Sequence, residues 1–230
     1  MKSGLASFYV RIGKRSIDLL ASVAGLVLML PLFALLALVS KLTSPGPVFF
    51  RQDRVGRAGR RFRIVKFRTM QLGADRHGPL VTAKGDPRVT SLGRILRRSK
   101  LDELPQLWNV FTGDMSLVGP RPEVPLYVAA YSEEQRCVLA VRPGLTDPAS
   151  IAYWDEEQRL AAHPEPERYY RDVILAQKLS LSLEYIQRIT LSRDLLILAG
   201  TAAFVVGVRG FDREGNSSPS QREPSAASWN

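Results

Sequence analysis

Residues 99–123 read SKLDELPQLWNVFTGDMSLVGPRPE, a stretch that joins an acidic pair to an arginine framed by prolines. Pro105 has no backbone N–H, so a helix tolerates it only in the first turn. The helix here is therefore predicted to begin around Ser99 to Asp102. This start places the adjacent carboxylates Asp102 and Glu103 at the helix N-terminus.

At the start of this helix, which is predicted to end near Gly113, free amides and the helix dipole favour negative charge. They are predicted to keep Asp102 ionised and to attract a phosphate group. An ionised carboxylate beside a phosphate can attack phosphorus, which is a recognised form of nucleophilic catalysis. The alternative is that Asp102 only caps the helix and that Glu103 is a solvated acid of its first turn.

The charge of the chain is strongly uneven. Its 230 residues are enough for one core with appendages, and they carry a net charge of +10. Residues 1–100 hold 20 Lys and Arg against 4 acids, whereas residues 101–230 hold 12 against 18. A basic front half indicates a polyanionic partner, which is nucleic acid, an anionic membrane surface or a phosphorylated substrate.

Histidine and cysteine provide few candidates for a metal site or a catalytic group. Cys137 is the single cysteine, which excludes an internal disulfide and a multi-cysteine metal site and favours a reducing compartment. His77 and His163 stand apart in polar surroundings and are predicted to lie at the surface.

Residues 19–40, LLASVAGLVLMLPLFALLALVS, carry no charge and are long enough to cross a hydrocarbon layer of about 30 Å. Pro31 interrupts the middle of this run, and basic residues flank both of its ends. The positive-inside rule satisfies both flanks only if the segment enters and leaves through the same face. A re-entrant helix-bend-helix is predicted, with Pro31 at the bend, and a simple span is the alternative.

A small β-hairpin is predicted next. A strand begins at Val48 to Phe50, a turn covers Asp53 to Gly59, and a second strand runs from Arg61 to Met70. Its alternating aromatic and basic side chains fit a nucleic-acid platform, a charged edge strand or a group of phosphate ligands. The polar stretch from Gln71 to Arg88 is predicted to be a loop.

A short basic helix is predicted to follow, capped by Thr90 or Ser91, with Leu92, Ile95 and Leu96 on one face. Residues 165–189 are also predicted to be helical, with Val173 among the packing positions. Residues 195–208 form an uncharged run that is predicted to be an interfacial helix or a buried core helix.

Motifs along the chain resemble the bacterial sugar transferases, the monotopic phosphoglycosyl transferases. The resemblance runs in order from about Lys14 to Leu198. It is carried by KFRTM at 66–70, LDELPQL at 101–107, GDMS at 113–116, GPRP at 119–122 and RPG at 142–144.

This resemblance implies an activity. Such enzymes transfer a sugar-1-phosphate from a nucleotide-diphosphate sugar to polyprenyl phosphate at the cytoplasmic face of the bacterial inner membrane, and they release a nucleoside monophosphate. The matching residues imply that Asp102 is the nucleophile of a covalent phosphosugar intermediate, that Glu103 binds or orients Mg²⁺, and that Arg121 holds a phosphate. Lys66 and Arg97 match family positions for phosphate or nucleotide contacts, and Arg68 is a further candidate.

Two departures from the family pattern bear on these expectations. Many relatives carry a Gly-Trp-Ala-Gln type of sequence after Arg-Pro-Gly, whereas this chain has Thr146 to Ser150, TDPAS, which leaves the sugar undefined. Leu30 precedes Pro31 where some relatives have a serine that helps to hold the bend. Tyr153 and Trp154 are predicted either to stack on a base or sugar or to pack in the core.

The predicted architecture is α+β and mostly helical. It comprises the N-terminal segment and re-entrant helix at 1–44, a catalytic body with interfacial helices at 45–212, and a disordered tail at 213–230. Its expected partners are the sugar nucleotide, polyprenyl phosphate and membrane lipid, without nucleic acid, and homo-oligomerisation is left open. The alternatives are a non-catalytic basic membrane adaptor that binds anionic lipid or nucleic acid, and a glycosyltransferase that releases a nucleoside diphosphate.

Overall fold

The computed structural model describes residues 9–74 and 78–206, so His77 and the predicted tail at 213–230 lie outside the described residues. A π-helical turn at Tyr9–Gly13 leads into helix α1, Lys14–Thr43. Among the described residues, this is the one helix that is long and apolar enough to cross a membrane, and only 6% of its most apolar window is buried. Such exposed apolar surface is what a membrane-embedded helix presents to lipid.

Helix α1 continues through Pro31 as one helix of 30 residues. The predicted division into two helices is therefore not confirmed, and the re-entrant topology stays a prediction. A proline removes one helical hydrogen bond and crowds the preceding turn, but the bonds of neighbouring turns can still hold the helix together.

Strands β1, Phe49–Val55, and β2, Arg61–Phe67, form the predicted antiparallel hairpin. The turn is shorter than predicted, because β1 continues to Val55 and only the segment around Arg57–Gly59 turns. Asp53 lies opposite Arg63 in the register and pairs with it at 3.3 Å, so polar residues that favour a turn are accommodated on the exposed face of the strand.

Helix α2, Ser91–Arg98, begins as predicted, because the Thr90 hydroxyl accepts a hydrogen bond from the amide of Gly93. The face that packs on the body is formed by Gly93 and Leu96, whereas Ile95 is 65% exposed, contrary to the prediction. A Cβ on Gly93 would lie 2.0 Å from the carbonyl oxygen of Thr69. This close approach brings α2 directly against the end of β2.

The remainder of the body is built from short elements. A 3-10 helix at Leu101–Gln106 leads into α3, and farther along the chain β3 and β4 pair in parallel as a second sheet. The elements are α3 (Leu107–Thr112), β3 (Ser116–Val118), α4 (Pro125–Ala129), α5 (Glu133–Arg136), β4 (Gly144–Thr146), α6 (Pro148–Ala152), α7 (Glu156–Ala161), α8 (Pro166–Tyr169), α9 (Leu175–Gln187) and α10 (Leu191–Val206).

The predicted helical region at 165–189 is confirmed as α8 and α9, joined by a π-helical turn at Tyr170–Ile174. Tyr170 and Ile174 are buried in the main core, whereas Val173 is 36% exposed and does not belong to it. Residues 195–206 of the uncharged run fall within α10, where Ile197 is buried and Leu195 and Leu196 are more than half exposed. Helix α10 thus packs one face on the core and leaves the other exposed.

Candidate active site

The acidic pair lies where the sequence predicts a helix to start. The first turns, Leu101–Gln106, are 3-10 helical, and α3 follows from Leu107 to Thr112. Gly113 ends it by adopting the left-handed conformation with φ of 91°. Pro105 cannot donate the hydrogen bond that an α-helix would need there, which accounts for the tighter turn. Asp102 and Glu103 occupy its first turn, as predicted.

Both carboxylates line a cavity of about 390 Å³. Basic side chains converge on it from β1, β2, α2, α9 and the loops, and an apolar wall from α10 closes one side. The charged residues of the lining are Arg54, Lys66, Arg97, Lys100, Asp102, Glu103, Arg121, Glu123, Glu156, Glu157 and Lys178.

Asp102 is 4% exposed, and its Oδ1 atom has no hydrogen-bond partner among the described residues. The residue at the N-cap position of the 3-10 helix is Lys100, so the capping role weighed for Asp102 is not observed. Burial and the neighbouring Glu103 raise the pKa of Asp102 to about 6, against the opposing charges of Lys66 and Arg97. Desolvation thus has a larger effect on the pKa of Asp102 than the helix terminus. The side chain is still mostly ionised at neutral pH, because its pKa lies about one unit below 7.

Glu103 forms a bidentate ion pair with Arg121. Its Oε2 and Oε1 atoms lie 3.0 and 2.5 Å from the two terminal nitrogens of Arg121. Burial alone would raise the pKa of Glu103, but the charge and hydrogen bonds of Arg121, helped by Lys100, hold it well below its ordinary value. Glu103 is therefore a half-buried carboxylate that its ion pair keeps ionised at neutral pH, and not a solvated acid of the first turn.

Arg121 is held in place by two glycine-containing motifs whose backbones hydrogen-bond to each other. The amide of Gly119 donates to the carbonyl of Thr146 at 3.0 Å, and the amide of Gly144 donates to the carbonyl of Pro120 at 3.0 Å. A Cβ on Gly144 would lie 2.1 Å from the nitrogen of Gly119, so only glycine permits this approach. The GPRP and RPG motifs thus form one structural unit that presents Arg121 to Glu103.

Lys66 and Arg97 lie in the cavity lining, as the resemblance implies. Burial lowers the pKa of Lys66 to about 8, and the charge of Asp102 opposes this shift. Arg97 pairs with Glu157 at 2.6 Å and lies close enough to Asp102 to oppose the rise in its pKa. Both cations are thus poised beside the acidic pair.

Arg68 is not part of the cavity lining. Strand β2 ends at Phe67, and the buried Arg68 side chain turns toward the end of α1, where it donates to the carbonyls of Pro45 and Ser44 at 2.6 and 3.0 Å. The structure thus separates Arg68 from the other predicted phosphate ligands and uses it to join α1 to the hairpin.

Arg54 is a cavity residue that the sequence analysis does not single out. It pairs with Glu123 at 3.3 Å, and Glu123 in turn accepts a hydrogen bond from Tyr170 at 2.5 Å. The Nε atom of Arg54 has no hydrogen-bond partner among residues 9–74 and 78–206. The available signal is strand alternation, because Arg54 shares a face of β1 with Phe50, and Phe50 lies opposite Lys66 on β2. Lys178, from α9, carries no comparable signal because its element is recognisable only as a packed helix.

Tyr153 and Trp154 both pack and line the cavity. Trp154 stacks on Phe204 of α10 with a ring separation of 5.1 Å, and the Lys100 ammonium lies 5.1 Å from its ring centre. Tyr153 is 5% exposed. The indole thus forms part of an aromatic and apolar wall beside the charged end of the cavity.

The donors available for the implied Mg²⁺ are the adjacent carboxylates. Within residues 9–74 and 78–206, no group of three or more His, Cys, Asp or Glu side chains converges. Mg²⁺ commonly takes one or two protein carboxylates and completes its coordination with water and substrate phosphates. The unpartnered Oδ1 atom of Asp102, beside Glu103, fits that pattern.

Comparisons with known proteins identify the family. The bacterial sugar transferase family matches residues 9–208. A UDP-glucose:undecaprenyl-phosphate glucose-1-phosphate transferase of Caulobacter vibrioides is 41% identical over 195 residues, which is 84% of this chain and 69% of the relative. The exopolysaccharide production protein ExoY of Rhizobium meliloti is 36% identical over 212 residues, covering 86% of this chain and 87% of that protein.

A third relative is a UDP-N-acetylgalactosamine-undecaprenyl-phosphate N-acetylgalactosaminephosphotransferase of Aeromonas hydrophila, 44% identical over 143 residues. The alignment covers 61% of this chain but only 34% of that relative, so the chain corresponds to about a third of its length. Together with the geometry of the cavity, the match over nearly all of the described residues leads to one conclusion: the chain belongs to the bacterial sugar transferase family.

Proposed function

We propose that the chain transfers a sugar-1-phosphate from a nucleotide-diphosphate sugar to polyprenyl phosphate and releases a nucleoside monophosphate. The observation that carries this proposal is the buried, unpartnered Oδ1 atom of Asp102 in a cavity rich in arginine and lysine. The names of the relatives support a UDP-sugar donor and an undecaprenyl phosphate acceptor. Those names differ in the sugar, so the proposal concerns the class of substrate.

The reaction proceeds in two displacements at one phosphorus atom. A carboxylate oxygen of Asp102 attacks the phosphorus that bears the sugar, and the bond from this phosphorus to the oxygen of the nucleoside monophosphate breaks. A phosphate oxygen of the polyprenyl carrier then attacks the same phosphorus and displaces Asp102. The products are the nucleoside monophosphate and a polyprenyl diphosphate sugar, and the carboxylate is regenerated.

Positive charge allows an anionic nucleophile to approach an anionic donor. Lys66, Arg97 and Arg121 lie around the acidic pair, and preorganised cations of this kind stabilise the charge that develops on the phosphoryl oxygens. Glu103 would hold Mg²⁺, which would neutralise phosphate charge when bound. Glu103 also keeps Arg121 fixed, so the arginine is oriented before the substrate arrives.

The apolar side of the cavity supports a lipid acceptor. Leu198, Ala202 and Val205 of α10 line it, and the exposed apolar surface of α1 indicates a membrane nearby. In this proposal the enzyme is seated at the cytoplasmic face of the bacterial inner membrane, where the soluble donor meets the lipid carrier.

The nucleotide product tests the proposal directly. Full-length protein in detergent, given undecaprenyl phosphate, Mg²⁺ and a panel of UDP-sugars, is expected to release UMP from at least one sugar, as measured by chromatography. Release of UDP would instead indicate a glycosyltransferase. Release of neither nucleotide across the panel, with retained lipid binding, would favour the membrane adaptor, which the names of the relatives do not favour.

The pH dependence of kcat/KM is expected to be bell-shaped. Below a pH of about 6, the rate should fall because Asp102 becomes protonated and loses its nucleophilic charge. Above a pH of about 8, it should fall because Lys66 loses its proton and its positive charge. Initial rates of UMP release between pH 5 and pH 9.5 would give both limbs.

Lys66→Arg tests the alkaline limb, because a guanidinium keeps its charge throughout this pH range. The variant is expected to lose that limb while the acidic limb stays in place. Lys84→Arg, at an exposed lysine outside the cavity lining, is the matched control and should leave both limbs unchanged. An alkaline limb that persists in Lys66→Arg would show that another group titrates there.

A further inference from the structure

A second cavity, of about 330 Å³, lies on the other side of β3 from the proposed active site. Leu117 lines the active-site cavity, whereas its neighbours Ser116 and Val118 line the second one. This division follows from the alternation of side chains along a strand. The two cavities therefore share β3 as a wall, but they are lined by different residues.

The second cavity is strongly basic. Four cations line it, Lys14, Arg15, Arg57 and Arg142, against one carboxylate, Asp18. Lys14 is already paired with the buried Asp194. Within the part of the chain that the structure describes, none of the three arginines forms an ion pair.

The hydrogen bonds that two of these arginines make leave their charge unneutralised. Arg15 donates to the carbonyls of Val110 and Phe111 at 2.6 and 2.9 Å, and the Nε atom of Arg142 donates to the carbonyl of Gly113 at 2.9 Å. Carbonyl oxygens orient a guanidinium but carry no net charge.

A further observation points to an anion. Burial, together with the charges of Arg15 and Arg57, lowers the pKa of Arg142, and the Asp18 carboxylate only partly opposes this shift. The Ser116 hydroxyl is turned toward Asp18, whose pKa it helps to lower, so it is not counted among the free donors. A phosphate oxygen could accept from the three guanidinium groups, and arginine is well suited to bind phosphate.

The position of the cavity indicates where that phosphate comes from. Lys14, Arg15 and Asp18 lie in the first turns of α1, immediately before the uncharged run 19–40. If that run lies in hydrocarbon, these turns lie at the level of the lipid headgroups, whose anionic members attract arginine and lysine. We propose that this cavity binds the phosphate of an anionic phospholipid headgroup, held by Arg15, Arg57 and Arg142.

Lipid retention by the full-length protein tests this site. Native mass spectrometry in detergent, with phosphatidylglycerol titrated against phosphatidylcholine, is expected to show one phosphatidylglycerol retained in preference. Arg57→Ala should weaken its retention about tenfold, which corresponds to the loss of one charged contact. Arg60→Ala is the matched control, because it removes the same charge from the same turn at an exposed arginine that does not line the cavity.

Further measurements distinguish a lipid headgroup from a free phosphate, and they show whether lipid retention depends on catalysis. Inorganic phosphate at millimolar concentration should not displace the lipid, and displacement would overturn the headgroup assignment in favour of a free anion. Equal retention of both lipids, or equal weakening by Arg60→Ala, would also overturn the site. Asp102→Asn should leave retention unchanged, so failure of the proposed transferase activity would not affect this result.

Discussion

Asp102→Asn is expected to reduce UMP release by at least about 10⁴-fold, because an amide cannot supply the attacking oxygen anion. The substitution keeps the size of the side chain, so the cavity and its cations should be preserved. Protein incubated with labelled UDP-sugar alone, quenched and digested, should carry a phosphosugar on Asp102 in the unaltered chain and no adduct in the variant. Mass spectrometry of the peptide that contains residue 102 would measure both.

The free energy of unfolding of Asp102→Asn is expected to stay the same or to rise, although the activity of this variant falls. The folded-state pKa of Asp102 is raised to about 6, so its charged form is disfavoured by folding and lowers stability as the pH rises through this value. At neutral pH this effect lowers the free energy of unfolding of the unaltered chain, whereas a neutral amide does not carry the buried charge. The variant should therefore have an unchanged or higher thermal midpoint.

Asp53→Asn is the matched control for this substitution. Asp53 lies on the exposed side of the hairpin, where its pair with Arg63 is open to solvent and contributes at most about 1 kcal/mol. Activity and adduct formation should match those of the unaltered chain. If Asp102→Asn kept more than a hundredth of the activity, or if the adduct formed on another residue, the nucleophile would have to be assigned elsewhere.

Local sequence rules predict much of the scaffold that carries Asp102. Pro105 limits where the helix can start, Gly113 ends it, and Thr90 caps α2, because each effect depends on a backbone group within a few residues. The β-hairpin is predicted for the same reason. Its turn is predicted too long because Asp53, a residue that favours turns, is paired across the strands with Arg63.

Contacts between distant segments are harder to predict from local sequence. The ion pair of Glu103 with Arg121 depends on β3 and β4, which have three residues each and no periodicity that could reveal them. The rise in the pKa of Asp102 is hard to predict for a related reason. A helix terminus can be read from the sequence, whereas the burial that raises its pKa comes from the assembled body.

Arg68 shows the limit of motif reasoning. It lies in the KFRTM motif two residues from Lys66, and strand alternation would place both on one face. Because β2 ends at Phe67, Arg68 leaves that face and bonds to the carbonyls after α1. The position at which β2 ends thus determines whether Arg68 faces the cavity or binds the backbone carbonyls at the end of α1.

Arg121→Lys and Arg121→Ala are expected to reduce UMP release by about 10²-fold and 10³-fold. Lysine keeps the charge but cannot reproduce the two parallel hydrogen bonds of the guanidinium, and alanine removes a preorganised cation from the phosphate site. Alanine also leaves Glu103, whose side chain is 16% exposed, without its ion-pair partner, so the pKa of Glu103 should rise and the thermal midpoint should fall. Kinetics at saturating donor would separate loss of turnover from loss of binding.

A double variant, Glu103→Gln with Arg121→Ala, distinguishes phosphate stabilisation from support of the fold. It removes both charges, so the thermal midpoint should recover toward that of the unaltered chain while activity stays low, because neither the carboxylate nor the arginine is available to the substrate. Arg168→Ala, at an arginine that is 69% exposed in a surface pair, should change neither quantity. Recovery of activity together with stability would show that Arg121 serves only to neutralise Glu103, and the phosphate-binding role would then pass to Lys66, Arg97 or Arg54.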